Sequence, residues 1–336
     1  MNMHISLHAI RSLSLAAGIS LATTAVAVAQ PSRATIGTGP AGTAYHQIGT
    51  TVSAAIQDAL GIPSTARPFG GTSQYIPMLH RGEITMGINS ALDSSEAYMG
   101  QGAYDQRLTD IRALTLISRS PYAFYARTES GKTTVADLKG EHIITQYRAI
   151  ASFNQVNAAI LATAGLTPDD VDGETVAGIP DATRALVEDR VVASASVLGI
   201  PALREADASI SGGLRVLGLG DNEDALKEVA GFSATTLNPG PAFVGITEPT
   251  RVAQFDVFMN VGASMSEDDA YALVKAIHES WGAMQENLPM LRAVADDQLA
   301  SPNFSHPYHD GAIRYFKEIG LWSDEHQARQ DELLAG

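Results

Sequence analysis

Residues 34–49 read ATIGTGPAGTAYHQIG, and this stretch decides the fold. A short β-prone run, residues 34–36, leads into Gly37, Thr38, Gly39, Pro40, Ala41 and Gly42, which match G-x-G-x-x-G letter for letter. Tyr45, Ile48, Val52, Ala55, Ile56, Ala59 and Leu60 then recur at three- and four-residue spacing, the period of an amphipathic helix that Gly61 and Pro63 stop. A dinucleotide site would also need an acid at the end of the second strand, about 20 residues on, to hold a ribose. Asp58 stands at that distance but inside the helical pattern, and the second strand ends in Phe69, Gly70 and Gly71. The dinucleotide reading fails there. What survives is a helix N-terminus with exposed N–H groups beside Thr38 and Thr43, which attracts a carboxylate or another anion. Gly70, Gly71, Thr72 and Ser73 repeat the device at the next strand-to-helix turn. Two such turns side by side at strand carboxyl ends make a ligand crevice.

Outward from this unit the alternation continues. Strands are predicted over residues 64–69, 84–89, 111–118, 122–127, 141–145, 174–177, 191–197, 242–246 and 254–261. Helices are predicted over 73–80, over 90–102 ending in glycines, over 152–164 and 181–188, from Pro201, and over 267–285. Ser266 is placed to cap the last, with Glu267, Asp268 and Asp269 at its positive end. Strands alternating with helices of this length argue for an α/β fold with mostly parallel sheets.

The chain begins MNMHISLHAIRSLSLAAGISLATTAVAVAQ: Arg11, a short apolar run, and Ala27-Val28-Ala29 before Gln30. That is the layout of a cleavable secretory signal peptide over residues 1–29, and it predicts a protein free in the periplasm. No second long apolar run follows, so no stable membrane insertion is expected. Cysteine is absent, so stability must come from a core, which about 300 residues can supply. With 22 basic and 37 acidic residues the net charge is −15, or −16 without Arg11. Such a surface repels phosphate backbones, and nucleic acid is not an expected partner.

Motifs that carry chemistry fail one at a time. ARTESGKTT at residues 126–134 imitates a phosphate loop, but the first glycine is Ala126, and a polar connector is the simpler reading. No G-x-S-x-G and no H-E-x-x-H occurs. His306, His309 and Asp310 lie together, but Pro307 and a following helical run make His309 or Asp310 a helix cap rather than a metal ligand. Tyr271, Trp281 and Met284 form a core stripe. The sequence offers no catalytic residues, no metal site and no cofactor.

The order of motifs resembles the TAXI-type solute receptors of TRAP (tripartite ATP-independent periplasmic) transporters. It does so in IGTGPAGTAYHQIGTTVSAAI, then FGGTSQYIPMLHRGEITMGINS, VADLKGEHI, ILATAGLTPDDVD and HPYHDGAIRYFKEIG. The resemblance implies a two-lobed, type II-like periplasmic-binding-protein fold with a ligand cleft between the lobes. It also implies delivery of the solute to TRAP membrane permease subunits. On that pattern residues 30–120 and 242–336 form lobe I and residues 121–241 lobe II. The family's ligand loops fall on Thr38, Gly39, Gly42, Thr43 and Tyr45, on Gly71, Thr72 and Ser73, and on Asn89 and Ser90. From lobe II come residues 146–152, with Gln146, Tyr147 and Arg148, and residues 196–199, beginning with Ser196.

Departures from the family pattern point one way. A glycine- and serine-rich loop is replaced by TQYRAIAS, which brings Arg148. Acids usual after Asn89-Ser90 and near residues 117–120 are replaced by Ala91 and Ser120, with Arg119 adjacent. Guanidinium forks suit carboxylates, so the expected ligand is a small carboxylate without an amine, such as 2-oxoglutarate or another C4–C5 dicarboxylate; the alternative is that Arg119 and Arg148 sit in surface ion pairs, as exposed arginines most often do. An amino acid such as glutamate, the receptor of an ATP-driven importer, a sensor and a secreted enzyme are the alternatives. Asp93, Glu96 and Arg67 each fit a solvated face as well as a crevice.

Overall fold

The computed structural model describes residues 32–148 and 152–335 together with Met1. The expected signal peptide, residues 1–29, lies outside the described residues apart from Met1, as do Ala149, Ile150 and Ala151 of the expected lobe II loop. The opening stretch folds as read. Strand β1 (Ala34–Thr38) runs into the glycine turn, and helix α1 (Ala44–Leu60) follows. Thr43 caps α1, its Oγ1 accepting from the His46 N–H at 3.4 Å and donating to the Pro40 carbonyl at 2.7 Å. Gly49 lets α1 lie against β1, since a Cβ there would stand 2.4 Å from Thr38 Cγ2.

Next come β2 (Ser64–Pro68), α2 (Thr72–His80), β3 (Met86–Ser90) and α3 (Ala91–Met99). The long strand β4 (Ile111–Arg127) follows. Beyond it lie β5 (His142–Tyr147), α4 (Ser152–Thr163), β6 (Asp172–Val176), α5 (Ile179–Val187), β7 (Ala193–Val197) and α6 (Pro201–Ser209). The chain continues through β8 (Leu214–Val216), β9 (Phe232–Leu237) and a second long strand, β10 (Thr250–Gly262). It ends in α7 (Glu267–Glu279), α8 (Trp281–Asn287), α9 (Asp310–Glu318) and α10 (Asp324–Ala335).

One sheet carries the strands in the order β2-β1-β3-β10-β4-β7-β5-β6, with β8 on β4 and β9 on β10. Strands β1, β2 and β3 are mutually parallel, and so are β5, β6 and β7. β10 is antiparallel to both β3 and β4, which makes β3 parallel to β4, whereas β7 is antiparallel to β4. The two parallel sets therefore point at each other along β4. The carboxyl ends of β1, β2 and β3 face those of β5, β6 and β7, and among the described residues only β4 and β10 run through both halves of the sheet. The largest apolar cluster includes residues from both halves, from Ile36 and Ile88 to Val156 and Ile160. A smaller one around Ile144, Leu186 and Leu214 fills the far side of the second half.

Several expectations need correction. Residues 111–118 and 122–127 are one continuous strand. Pro121 lacks a donor, but its carbonyl accepts from the Leu198 N–H at 2.9 Å and it stays in register with Gln254, so the strand passes through it. Residues 242–246 form turns, not a strand. Their apolar side chains are explained by packing, because Phe243 and Val244 lie on the cluster of the second half. β8 and β9, both unforeseen, supply the pairing instead. The expected helix over 267–285 is two, α7 and α8, meeting at Ser280. Ser266 caps α7 as read, accepting from the Asp269 N–H at 3.1 Å. His309 caps α9, accepting from the Gly311 N–H at 3.2 Å.

Candidate functional site

Two rims face each other. The first is built from the turns after β1, β2 and β3, where three helices begin: α1 capped by Thr43, α2 preceded by Gly71, and α3 capped by Ser90, whose Oγ accepts from the Asp93 N–H at 3.0 Å. Three helix N-termini directed at one place give a field that favours negative charge. The second rim is built from the turns after β5, β6 and β7, with Arg148, Gly178 and Gly199 on it.

The glycines of the opening motif have two different tasks. Gly37 lies under the ring of Tyr75: a Cβ there would stand 2.9 Å from Tyr75 Cγ and 2.9 Å from Ile84 Cδ1. Tyr75 is fully buried and its hydroxyl donates to the Ile88 carbonyl. Gly37 thus serves packing of α2 on the sheet, with no role for a pyrophosphate. Gly42, with φ 86° and open space where a Cβ would be, is the residue that turns the chain into α1.

The sequence-derived site residues separate into two groups. Gly39, Gly42, Thr43, Tyr45, Gly71, Thr72 and Ser90 come together on the first rim. Ser73, next to Thr72, turns instead toward a concavity shared with Pro77, His80 and Tyr104. Thr38 is fully buried, its Oγ1 3.0 Å from His46 Nδ1 and 3.3 Å from the Arg67 carbonyl oxygen, so it anchors the turn from behind. Asn89 is also buried, with Nδ2 donating to Ser94 Oγ and Oδ1 without a partner.

On the second rim Arg148 is exposed and its N–H donates to the Val176 carbonyl at 3.0 Å. Gln146 is exposed too, but its Oε1 is taken by the Thr175 hydroxyl at 3.0 Å. Tyr147 is buried and committed to the lobe's interior, its hydroxyl on Ser194 and the Ala195 carbonyl. Ser196 is fully buried with its Oγ unpartnered. Arg119 is engaged elsewhere. Its Nε is 3.1 Å from Asp256 Oδ1 across the two long strands, and its Nη1 donates to Gln298 at 2.6 Å. Ser301 satisfies the other Asp256 oxygen at 2.9 Å. Arg119 is thus engaged in an ion pair, which matches the alternative the sequence left open for it.

Sequence reasoning left Asp93 open, and the structure puts it at the first rim. It occupies the first turn of α3, close to Tyr45 and hydrogen-bonded by Ser90 and Thr72. Burial pushes its carboxyl above the usual range, against those hydrogen bonds. Tyr45 and Tyr104 are raised as well, first by burial and then by the Asp93 charge. On the second rim stands an aromatic group that no motif signalled, Phe153. The Phe153 ring meets Tyr122 edge-on at 4.8 Å and Tyr147 at 6.0 Å, and Phe153 itself is half-buried. Arg67 is exposed and stacks on Phe69 at 4.8 Å.

Among the described residues no group of three or more His, Asp or Glu side chains is placed to hold a metal ion. None of their helices is long and apolar enough to cross a membrane.

Residues 36–320 match the NMT1-like family. No curated protein matches the chain in sequence. Among solved structures it is similar to a TctC solute binding protein from Polaromonas, at 15% identity and TM-score 0.52, over 91% of this chain and 99% of that one. It is also similar to MatC from Rhodopseudomonas palustris with bound malate, at 16% identity and TM-score 0.51, over 88% of this chain and 99% of that one. Those likenesses show the fold: two α/β lobes of the periplasmic solute-binding type.

Proposed function

This chain belongs to the NMT1-like family, and we propose that it is a periplasmic solute-binding protein whose two lobes close on a small carboxylate. The observation that carries this reading is the strand arrangement: two parallel sets point their carboxyl ends at each other and share only two crossing strands. Ligands of open α/β sheets bind beyond strand carboxyl ends, and two crossing strands are a natural hinge. The leader supports export. The motif order supports TRAP permease subunits as the receiving partner. Capture and delivery need no chemistry, in keeping with solute-binding neighbours.

The ligand is best read as a small organic acid, an oxo acid or C4–C5 dicarboxylate such as 2-oxoglutarate. Its carboxylate would lie against the N-termini of α1, α2 and α3 near Thr43, Gly71, Thr72 and Ser90, with Arg148 approaching from the other rim. The neighbour MatC holds malate in a similar fold. Asp93 favours a second reading, an amino acid such as glutamate, because a carboxylate beside the anion cradle suits an ammonium group.

A melting-temperature screen of ligand-stripped protein tests both. Solute at 100 times its dissociation constant stabilises by about 2.7 kcal/mol. Oxo acids or dicarboxylates alone should produce the shift, and Asp93→Asn should leave or strengthen it. Shifts with amino acids alone, lost in Asp93→Asn, would replace the first reading with the second. No shift with any small carboxylate or amino acid would overturn both.

A further inference from the structure

The two rims are also joined by side chains. Gln155, at the start of α4 on the second lobe, sends its Nε2 to Glu96 Oε1 of α3 on the first, at 3.1 Å. The partners are unequal. Glu96 is 7% exposed and held in place: the Gln101 N–H donates to its carbonyl at 2.8 Å, and its carboxylate lies over Gly102. A Cβ on Gly102 would come within 2.4 Å of Glu96 Oε2, and φ there is 62°, so a glycine is required twice over. Gln155 is exposed. Its helical neighbours tie α4 to its own lobe, Asn154 Oδ1 accepting from the Tyr147 N–H at 2.8 Å and Asn157 Nδ2 donating to the Thr145 carbonyl at 2.9 Å.

Burial, and the Asp93 charge one turn earlier on α3, both push the Glu96 carboxyl upward, and Gln155 opposes them. Lobe I thus holds a fixed acceptor that its own surroundings disfavour. The donor that relieves it belongs to the other lobe and is present only when the rims are close.

We propose that Glu96 and Gln155 form a latch that holds the two lobes closed, placed beside the cleft and outside the ligand's own contacts. This rests on the reading of the chain as a two-lobed solute receptor. Opening the rims breaks the bond and leaves the Glu96 carboxylate beside Asp93 without its donor. The latch therefore sets the closed fraction of the ligand-free protein, and with it the affinity for any solute that binds the closed form. A hydrogen bond to a charged acceptor, weakened by the exposure of Gln155, is expected to change the closed-to-open ratio by about three- to thirtyfold.

The chain has no cysteine, so Gln57→Cys on α1 and Glu205→Cys on α6, both exposed, accept spin labels without background. Interlobe distances are read by pulsed dipolar spectroscopy on ligand-stripped, labelled protein. Gln155→Ala should move population to an open distance, Gln155→Glu should move more, and Gln155→Lys should move it back toward closed. The exchange Glu96→Gln with Gln155→Glu should restore the parent distribution. Unchanged distributions in Gln155→Ala and Gln155→Glu, with cooperative melting as in the parent, would overturn the latch. The same samples keep the two readings apart. If Gln155 variants shift the distance but no solute closes it, the receptor reading fails and the latch stands. If solutes close parent and variants alike from one starting distribution, the latch fails and the receptor stands.

Discussion

Replacing Gly37 by alanine separates a packing glycine from a ligand-binding one. The new methyl would sit 2.9 Å from two ring atoms of Tyr75 and 2.9 Å from Ile84 Cδ1, contacts that real Cβ atoms essentially never make. Tyr75 cannot swing away, since it is fully buried and its hydroxyl is held by the Ile88 carbonyl. Either α2 lifts from the sheet or the ring leaves its rotamer, and overpacking of this kind costs about 1–3 kcal/mol. At roughly 2–4 °C per kcal/mol for domains of 150–250 residues, the ligand-stripped Gly37→Ala protein should melt about 2–12 °C below the parent. Tyr75→Leu removes the obstructing ring at its own cost of about 2–4 kcal/mol. The double variant should recover about 1 kcal/mol or more relative to the sum of the single losses, because the methyl then fills vacated space. Urea unfolding of the four proteins measures the coupling. Losses that add within about 0.5 kcal/mol would refute the packing argument. A Gly37→Ala protein of parental stability that no longer binds its solute would return this glycine to the ligand site.

Arg119→Ala should lower stability by about 3 kcal/mol or more, because it strands the buried Asp256 carboxylate, while solute affinity stays within about threefold. Lost affinity with stability intact would make Arg119 a ligand residue after all. His306 is buried, with Nε2 2.5 Å from Asn260 Oδ1, and burial followed by the Arg112 charge pushes its pKa down to about 3. Below the ordinary imidazole value of about 6.5 the unfolded chain takes a proton that the fold refuses, so stability falls by about 1.4 kcal/mol per pH unit from this one group. His306→Gln should flatten the fall between about pH 6 and pH 4.5 in urea titrations, and parallel curves would contradict the assignment. Asp93 has the opposite sign. Its folded-state pKa is raised by burial, so its ionisation weakens the ligand-free fold as pH rises through the window above the ordinary Asp value. Asp93→Asn should therefore raise the melting temperature near pH 7.5 and not at about pH 3.5. A loss at neutral pH would mean that the carboxylate is needed by the apo fold.

How far the sequence could be read depends on whether a signal is local. The glycine turn, the helix start near Thr43, the cap at Ser266, the cap at His309 or Asp310, and the alternation of strand and helix are each decided within a few residues, and all of them appear in the fold. The gap expected between residues 118 and 122 does not exist: Pro121 lacks an N–H, but β4 has partners on both sides and tolerates the loss of one donor. The apolar run at 242–246 misled for a related reason: burial against the second lobe explains its composition without pairing. The arginine argument turns on a longer range. Whether Arg119 stands free or in an ion pair is not legible locally, because its partner, Asp256, lies 137 positions away, and nothing local to either residue announces the pair. The converse holds for Asp93 and Glu96. Their spacing on α3 fits an exposed helix face, yet Thr72 and Tyr45 gather at the first and Gln155 reaches the second only once the chain has folded. Charge counted along the sequence pointed to a cleft cleared of acids. In the folded arrangement Arg119 is paired with Asp256, Arg148 follows β5 on the second rim, and Asp93 stands on the first. On the proposed reading the solute's charge pattern is what the Asp93 carboxylate would discriminate, and the Asp93→Asn screen tests that directly.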